Sequence, residues 1–588
     1  MATKLPAKDV VIIGLGWTGA ILAHELANEG LDIVAIERGP WRDTASSFNI
    51  GYAADELRYG VRYDLCQKTA QGTLTFRNSN RETALPIRQW GSFQPGNGVG
   101  GAGVHWGGQT WRFLPSDFCI RSHLTERYGA RFIPEELSIQ DWGVTYDNLE
   151  PYYDRFEYLA GISGKAGNIK GVIQAGGNPF EGPRKREYPL PPMQMTLAPT
   201  LFAEAARSIG CHPFPSPSAN LSTDYTNPLG VRMGQCTYCG FCVRFGCANY
   251  SKATPQTTIL PVLMRKSNFE VRTECEVLRI NLDRSGKHAT GVTYTDKNGN
   301  RWEQPAELVL VCAFAFNNVH LMLLSGIGRS YDPKTRQGTV GRNYAYQTYS
   351  SIQLYFDDKN FNPFISAGAL GQSADDFNGD NFDHARLNFV GGAGITCQPT
   401  NGRPLANLPV PPGTPRWGAL WKEQVKKNYL RSFGFASQGS SHSAHANYLD
   451  LDPTYTDRFG RPLLRMTFDF PENDARMSNY ITDKMEPIAK AMNPRQYVVN
   501  RVATPYSVVP DQSTHNTGGA IMGTDPTLSA VNKYLQSWDV PNVFVIGASA
   551  FPQNPGYNPT GTVGALAYWV ADALSSKYLK SPGPLVSA

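Results

Sequence analysis

The chain has 588 residues, of which 41% are apolar, 11% aromatic and 18% charged, with a net charge of +5. That much apolar and aromatic content excludes a disordered chain, and so mild a charge with no dense Lys/Arg run excludes nucleic acid as the partner. The length suits two domains, and 57 glycines and 42 prolines imply many turns and long connecting loops.

The opening MATKLPAKDVVIIGLGW has no basic stretch followed by an apolar run and a cleavage site, so no export signal is expected in it. Val10, Val11, Ile12 and Ile13 form the short apolar run of a buried parallel strand. Gly14, Gly16 and Gly19 follow as GxGxxG. Ile21, Leu22 and Leu26 then recur on one helix face up to Gly30, and Asp32–Ile36 reads as a second strand ending at Glu37. In such a β-α-β unit the glycines allow a tight turn, the helix N-terminus faces a pyrophosphate, and Glu37 accepts from a ribose hydroxyl. The unit by itself fits FAD and NAD equally.

A second glycine cluster, Gly96 to Gly103, leads into Val104-His105-Trp106-Gly107-Gly108. Gly98 and Gly101 within it let backbone pass against a flat ligand where side chains would clash. Arg112, just beyond, is either a surface residue or a cation for an anionic substrate.

Cys236, Cys239, Cys242 and Cys247 make a C-x2-C-x2-C-x4-C run. The first three have the spacing by which ferredoxins wrap an iron–sulfur cluster. Three thiolates in seven residues crowd a single tetrahedral zinc, which favours two hairpins separated by a loop. A disulfide framework would spread its cysteines and need an oxidising compartment. The expectation is therefore an iron–sulfur cluster, 3Fe-4S or 4Fe-4S, ahead of zinc and of disulfides. The x4 spacing and Ala248, where ferredoxins carry Pro, depart from the ferredoxin pattern. Cys66, Cys119, Cys211, Cys275, Cys312 and Cys397 are scattered singly and read as small apolar residues.

The apolar stretch Leu308 to Leu324 is broken by Asn317, Asn318 and His320, which argues against a membrane span. His442 and His445 are spaced like a ligand pair but lack a third ligand, so no metal is assigned there. Near the C-terminus, His515 precedes a glycine pair, and Val543 to Ile546 forms another buried strand ending at Gly547. Asn558-Pro559-Thr560-Gly561-Thr562 then opens a helix running to about Ser575, with Thr562 as its N-cap. The positive end of that helix would stabilise negative charge on a ligand.

The β-α-β unit, GNGVGGAGVHWGG, Leu323-Leu324-Ser325-Gly326-Ile327-Gly328 and the His515…Asn558 pair follow one another in the order of the glucose–methanol–choline (GMC) oxidoreductases, which the chain resembles over nearly its full length. With the cysteine run added, it most resembles the large flavoprotein subunits of bacterial membrane-bound polyol and sugar-acid dehydrogenases. The resemblance implies an α/β fold: a Rossmann-like FAD-binding domain of residues 1–150, 231–345 and 506–588, and a substrate-binding cap of residues 151–230 and 346–505 on a mainly antiparallel sheet.

It also implies FAD as cofactor, with Val277 near the adenine, Gly547 and Thr560 near the flavin, and His105 as either a covalent attachment point or a packed neighbour. His515 matches the family's catalytic base and Asn558 its second residue. The implied reaction is oxidation of a secondary alcohol of a sugar acid or polyol, D-gluconate to 2-keto-D-gluconate first among them. The implied partners are a small subunit carrying the export signal and a multihaem cytochrome c. The implied place is the periplasmic side of a bacterial cytoplasmic membrane. Two departures stand out: Gly547 is followed by Ala548-Ser549 where the family often has an acid, and Cys312-Ala313-Phe314-Ala315-Phe316 replaces a small-residue turn. An oxygen-using alcohol oxidase and a non-catalytic electron-transfer subunit are the competing readings.

Overall fold

Strand Lys8–Ile13 is fully buried from Val10 to Ile12, as a strand covered on both faces must be. In the computed structural model, which describes residues 2–48, 65–70, 72–89, 93–399, 409–509 and 513–587, this strand lies inside a parallel sheet. Ile33–Ile36 and then Phe269–Arg272 follow on one side, and Arg301–Val311 on the other. Val543–Val545 joins the same sheet, parallel to Val309–Val311. The far half of Arg301–Val311 pairs antiparallel with Ala289–Thr295, which pairs in turn with Glu276–Leu282.

Helix Trp17–Asn28 is buried nearly all round. Its small residues Gly19, Ala20 and Ala23 let it pack against both strand Ile33–Ile36 and the C-terminal helix Thr560–Ala573, so no polar face is needed. The C-terminal helix also packs against Tyr146–Ala160. The boundary expected at residue 150 falls inside that helix, which sits with the nucleotide-binding elements. The C-terminal helix begins at Thr560, two residues before the expected N-cap Thr562, because Pro559 already has helical dihedrals (φ −76°, ψ −12°).

A second sheet is antiparallel throughout, in the order Gln496–Asn500, Thr348–Tyr355, Ser432–Gly439, Ala393–Cys397, Gln372–Ala374 and Phe214–Pro215. Helix Glu472–Ala491 lays Met477, Ile481, Met485 and Ile488 against it, where they meet Ile352, Leu354, Phe433 and Phe435 in a separate core. The spacing of those four helix residues is that of one helical face. The sheets meet where Ala345, just before strand Thr348–Tyr355, pairs with Thr517, and Ser441 pairs with Asn554. No helix among the described residues is long and apolar enough to cross a membrane. All ten cysteines are unbridged.

Candidate active site

The three glycines of the first turn have three different jobs. Gly14 has φ +92°, and a Cβ there would lie 2.9 Å from the Cys312 carbonyl oxygen. Gly19 sits so close to the turn that a Cβ would fall 2.1 Å from the Gly14 oxygen. Gly16 is different, since a Cβ there would meet nothing closer than the Gly100 oxygen at 3.9 Å. It faces open space, a cavity of 340 Å³ lined by Gly14, Gly16, Glu37, Gly101, Val277 and Gly547 among others.

Two helices point their N-termini at this cavity, and neither is capped by a side chain. Helix Trp17–Asn28 follows Gly16, and helix Thr560–Ala573 follows Pro559; Gly16, Pro559 and Thr560 all line the space. Uncapped N–H groups of that kind suit a diphosphate and a ring system that gains negative charge. Glu37 is buried and accepts from the backbone N–H of Leu15 (3.0 Å) and Gly39 (2.8 Å), which leaves lone pairs for a ribose. The Trp17 indole N–H is buried without a partner. The cradle therefore fits a dinucleotide such as FAD.

Gly98 has φ +123°, and a Cβ would clash with the Pro40 oxygen at 2.7 Å, so it closes the turn rather than facing the ligand. His105 lies off the cavity lining, although Gly103 and Trp106 on either side of it are on the lining. It is buried, its Nε2 has no partner, and burial, helped by Lys252, pushes its pKa down to about 4. Asn318 joins the two departures noted in the sequence. Its side chain accepts from Ala313 N–H (2.9 Å) and donates to the Ile546 carbonyl (3.2 Å) and the Ser549 hydroxyl (3.0 Å).

Beyond the cavity, next to Thr514 and Asn516 on its wall, His515 and Asn558 come together across 43 residues of chain, with His515 Nε2 3.0 Å from Asn558 Nδ2. His515 Nδ1 is 2.6 Å from Gln347 Oε1. Gln347 donates through its own amide nitrogen to the Tyr557 carbonyl (3.3 Å), which turns its oxygen towards the imidazole. The Nδ1 position therefore carries the proton, and Nε2 keeps the lone pair. Asn558 is held in the matching sense: Trp111 Nε1 donates to its oxygen (3.2 Å), and its nitrogen also reaches Gln109 Oε1 (3.1 Å). Gln109 bonds on to Gln398. Tyr557 stacks on Trp111 and donates to Asp375 (2.5 Å), whose carboxyl is pushed up to about 6 by burial. Burial pushes His515 down to about 4, so the imidazole is neutral near pH 7.

Cys236, Cys239, Cys242 and Cys247 surround one small hollow together with Asn220, Phe241 and Ser251. The Cys236 sulfur accepts from Tyr238 N–H (3.4 Å) and the Cys242 sulfur from Asn220 Nδ2 (3.7 Å). Burial pushes the Cys236 thiol up to about 11 and raises those of Cys239 and Cys242 as well. Among the described residues no three His, Cys, Asp or Glu side chains are grouped so as to hold a metal ion. The four thiols share one hollow, but ligand geometry is assembled there neither for a single zinc ion nor for the expected cluster.

Two other sequence candidates have structural roles. Arg112 is buried against Glu157, with two contacts of 2.8 Å, and against Glu150 at 2.9 Å, so it is neither a surface residue nor open to a substrate anion. The backbone N–H of His442 faces Asp474 at 3.2 Å within the cap core. Gln347, Gln109, Trp111 and Asn318 carry no motif that would have marked them.

The chain is similar to known flavin enzymes. Models of the GMC oxidoreductase family match residues 218–349 and 443–567, and one for FAD dependent oxidoreductases matches residues 9–128. The gluconate 2-dehydrogenase flavoprotein of Pantoea cypripedii is 49% identical, covering 100% of this chain and 97% of that one. The fructose dehydrogenase large subunit of Gluconobacter japonicus is 24% identical over 98% of this chain and 99% of its own. Among solved structures, pyridoxine 4-oxidase from Mesorbium loti has the same fold, with a TM-score of 0.58 at 16% identity over 97% of this chain and 99% of that one.

The glycine geometry separates folding from binding. Gly16→Ala should melt like the parent protein yet purify with little FAD, because its methyl group fills the cradle. Gly19→Ala should lower stability by about 1–3 kcal/mol through overpacking. Thermal melts and flavin absorbance check both, and a fully flavinated Gly16→Ala contradicts the assignment. Gln347→Leu removes the acceptor that sets the His515 tautomer and should lower kcat by about 10²-fold, with little change in KM. Wild-type kcat in that variant would show that the contact does not orient the base.

Proposed function

We propose, from the premise that this chain belongs to the GMC oxidoreductase family, that it oxidises the C2 hydroxyl of D-gluconate to give 2-keto-D-gluconate. The chain is an FAD-dependent dehydrogenase of the alcohol- and sugar-oxidising kind. The observation that carries the proposal is the neutral His515–Asn558 pair beside a dinucleotide cradle, in a chain nearly half identical to a gluconate 2-dehydrogenase flavoprotein.

When bound, FAD supplies the acceptor for the hydride that leaves the alcohol carbon. Nε2 of His515 takes the hydroxyl proton, because the tautomer that Gln347 imposes leaves the lone pair on Nε2, where the substrate hydroxyl takes the place of the Asn558 N–H that faces it. The Asn558 N–H released from His515 Nε2 then donates to the same oxygen and steadies the charge that develops on it, while the other stays on Gln109. The amides of Asn558, Gln109 and Gln398 form one hydrogen-bonded chain beside His515, and such groups suit a polyhydroxylated substrate. His105 Nε2, buried and unpartnered, is the atom available for a covalent flavin link, and flavin that stays with the acid-precipitated protein would reveal one.

Cys236, Cys239, Cys242 and Cys247 are the residues that would hold an iron–sulfur cluster, 3Fe-4S or 4Fe-4S, and such a cluster carries one electron at a time. That chemistry suits a dehydrogenase delivering to a haem partner such as a multihaem cytochrome c. With a small subunit bearing the export signal, it suits the periplasmic face of a bacterial membrane.

The test is anaerobic mixing of the FAD-loaded enzyme with D-gluconate. Bleaching of the flavin, reduction of an artificial dye and formation of 2-keto-D-gluconate are expected. His515→Ala should keep FAD and lose about 10²–10⁴-fold in kcat. A flavin that D-gluconate leaves oxidised contradicts the substrate, and full turnover in His515→Ala contradicts the base.

A further inference from the structure

Tyr557 has no role in the proton transfer, yet both halves of the reacting pair lean on it. Its ring stacks on the Trp111 indole, with centroids 5.1 Å apart and planes 18° apart, and on Phe113 at 6.1 Å and 18°. The Trp111 N–H is the donor to the Asn558 oxygen (3.2 Å), so the plane of the Tyr557 ring sets the direction of that N–H. The Tyr557 carbonyl accepts from the Gln347 amide nitrogen (3.3 Å), the contact that turns the Gln347 oxygen towards His515. One residue therefore touches the group that orients the base and the group that orients its companion amide.

Tyr557 is itself held at both ends. Gly556, just before it, has φ +83°, and a Cβ there would lie 2.8 Å from the Ser440 nitrogen, so the chain turns tightly against the end of strand Ser432–Gly439. Asn554 closes the same turn, accepting from the Gly556 N–H (3.3 Å) and donating to the His515 carbonyl (2.9 Å). At the far end of the side chain, the hydroxyl donates to Asp375 (2.5 Å). Asp375 follows strand Gln372–Ala374 of the antiparallel sheet, is fully buried, and accepts on the same oxygen from Asn178 Nδ2 (2.6 Å). The phenol keeps its proton there, because burial and the neighbouring Asp375 raise its pKa well above the ordinary value.

We propose that Tyr557 is a positioning residue for the reaction: anchored by Asp375, its ring holds Trp111, and through it Asn558, in the orientation that receives the substrate oxygen. This rests on the reading of His515 and Asn558 as the reacting pair. A tyrosine that merely fills the core would act on folding. A positioning one acts on kcat, and acts through Trp111.

Anaerobic flavin reduction and steady-state turnover with D-gluconate, measured on the FAD-loaded enzyme, test the idea in Tyr557→Leu, Tyr557→Phe, Trp111→Phe and the double variant of Tyr557→Leu with Trp111→Phe. Tyr557→Leu should keep its FAD and lose about 10- to 10²-fold in kcat with little change in KM. Tyr557→Phe keeps the stack and loses the anchor, so it should fall between that variant and wild type. Trp111→Phe keeps a ring but lacks the N–H that Tyr557 directs, so adding Tyr557→Leu to it should cost much less than in the wild-type background. Costs that simply add would overturn the proposal, as would wild-type kcat in Tyr557→Leu. Loss of FAD in both Tyr557 variants would make the residue a folding residue and overturn it too. A crystal structure of Tyr557→Leu decides the matter without turnover: the Trp111 N–H should have left the Asn558 oxygen, and an unchanged contact overturns the role. Wild-type flavin that D-gluconate leaves oxidised would contradict the substrate alone, with that contact still deciding for or against Tyr557.

Discussion

The hydrogen bond between His515 Nδ1 and Gln347 Oε1 is the contact on which the rest of the site depends. It joins a residue just before a strand of the antiparallel sheet to a segment that lies between the two sheets. With Nδ1 engaged, the one basic atom left on the imidazole faces Asn558, which stands just before Pro559, the N-cap of the C-terminal helix. Leaving a buried polar group unpaired costs about 1–3 kcal/mol, so the amides of Gln347, Asn558 and Gln109 reinforce one another's orientation only while all are paired. Burial does the electrostatic work: no charged neighbour is needed to keep the imidazole neutral.

The cysteine hollow is organised differently. Burial disfavours thiolates there, and the buried Lys252 side chain beside them is held by three backbone carbonyls. The nucleotide cradle and the cysteine loop both meet one glycine-rich segment, residues 96–108. Its backbone passes close to Gly16 on one face and to the cysteine loop on the other.

What could be read from the sequence follows chain distance. The β-α-β unit was legible because its strand, glycine turn, helix and Glu37 occupy 30 consecutive residues, Lys8 to Glu37, and each obeys a local rule. His515 stood out only through the family order that its setting before a glycine pair completes. Gln347 was not, because it meets His515 across 168 residues, and Gln109 meets Asn558 across 449. Arg112 misled because position along the chain says nothing of Glu157 and Glu150, which a helix brings back to it. Thr562 misled for a smaller reason: a proline with helical dihedrals can start a helix, so the hydroxyl expected at the cap lies inside the first turn.

The central claim is that a neutral, buried His515 is the base. The most direct measurement is the rate constant of anaerobic flavin reduction by D-gluconate in a stopped-flow spectrometer as the pH is lowered. An exposed histidine protonates near 6.5 and would lose activity there. The folded pKa is depressed, so the lone pair should survive as pH falls through 6.5 and disappear only near pH 4. The unfolded chain takes up the proton first, so the stability due to neutral His515 is lost over that same window, and circular dichroism at each pH must confirm that the enzyme is folded. A rate constant that holds to about pH 5 in folded enzyme is the predicted result. A limb with its midpoint near 6.5 would contradict the buried neutral base.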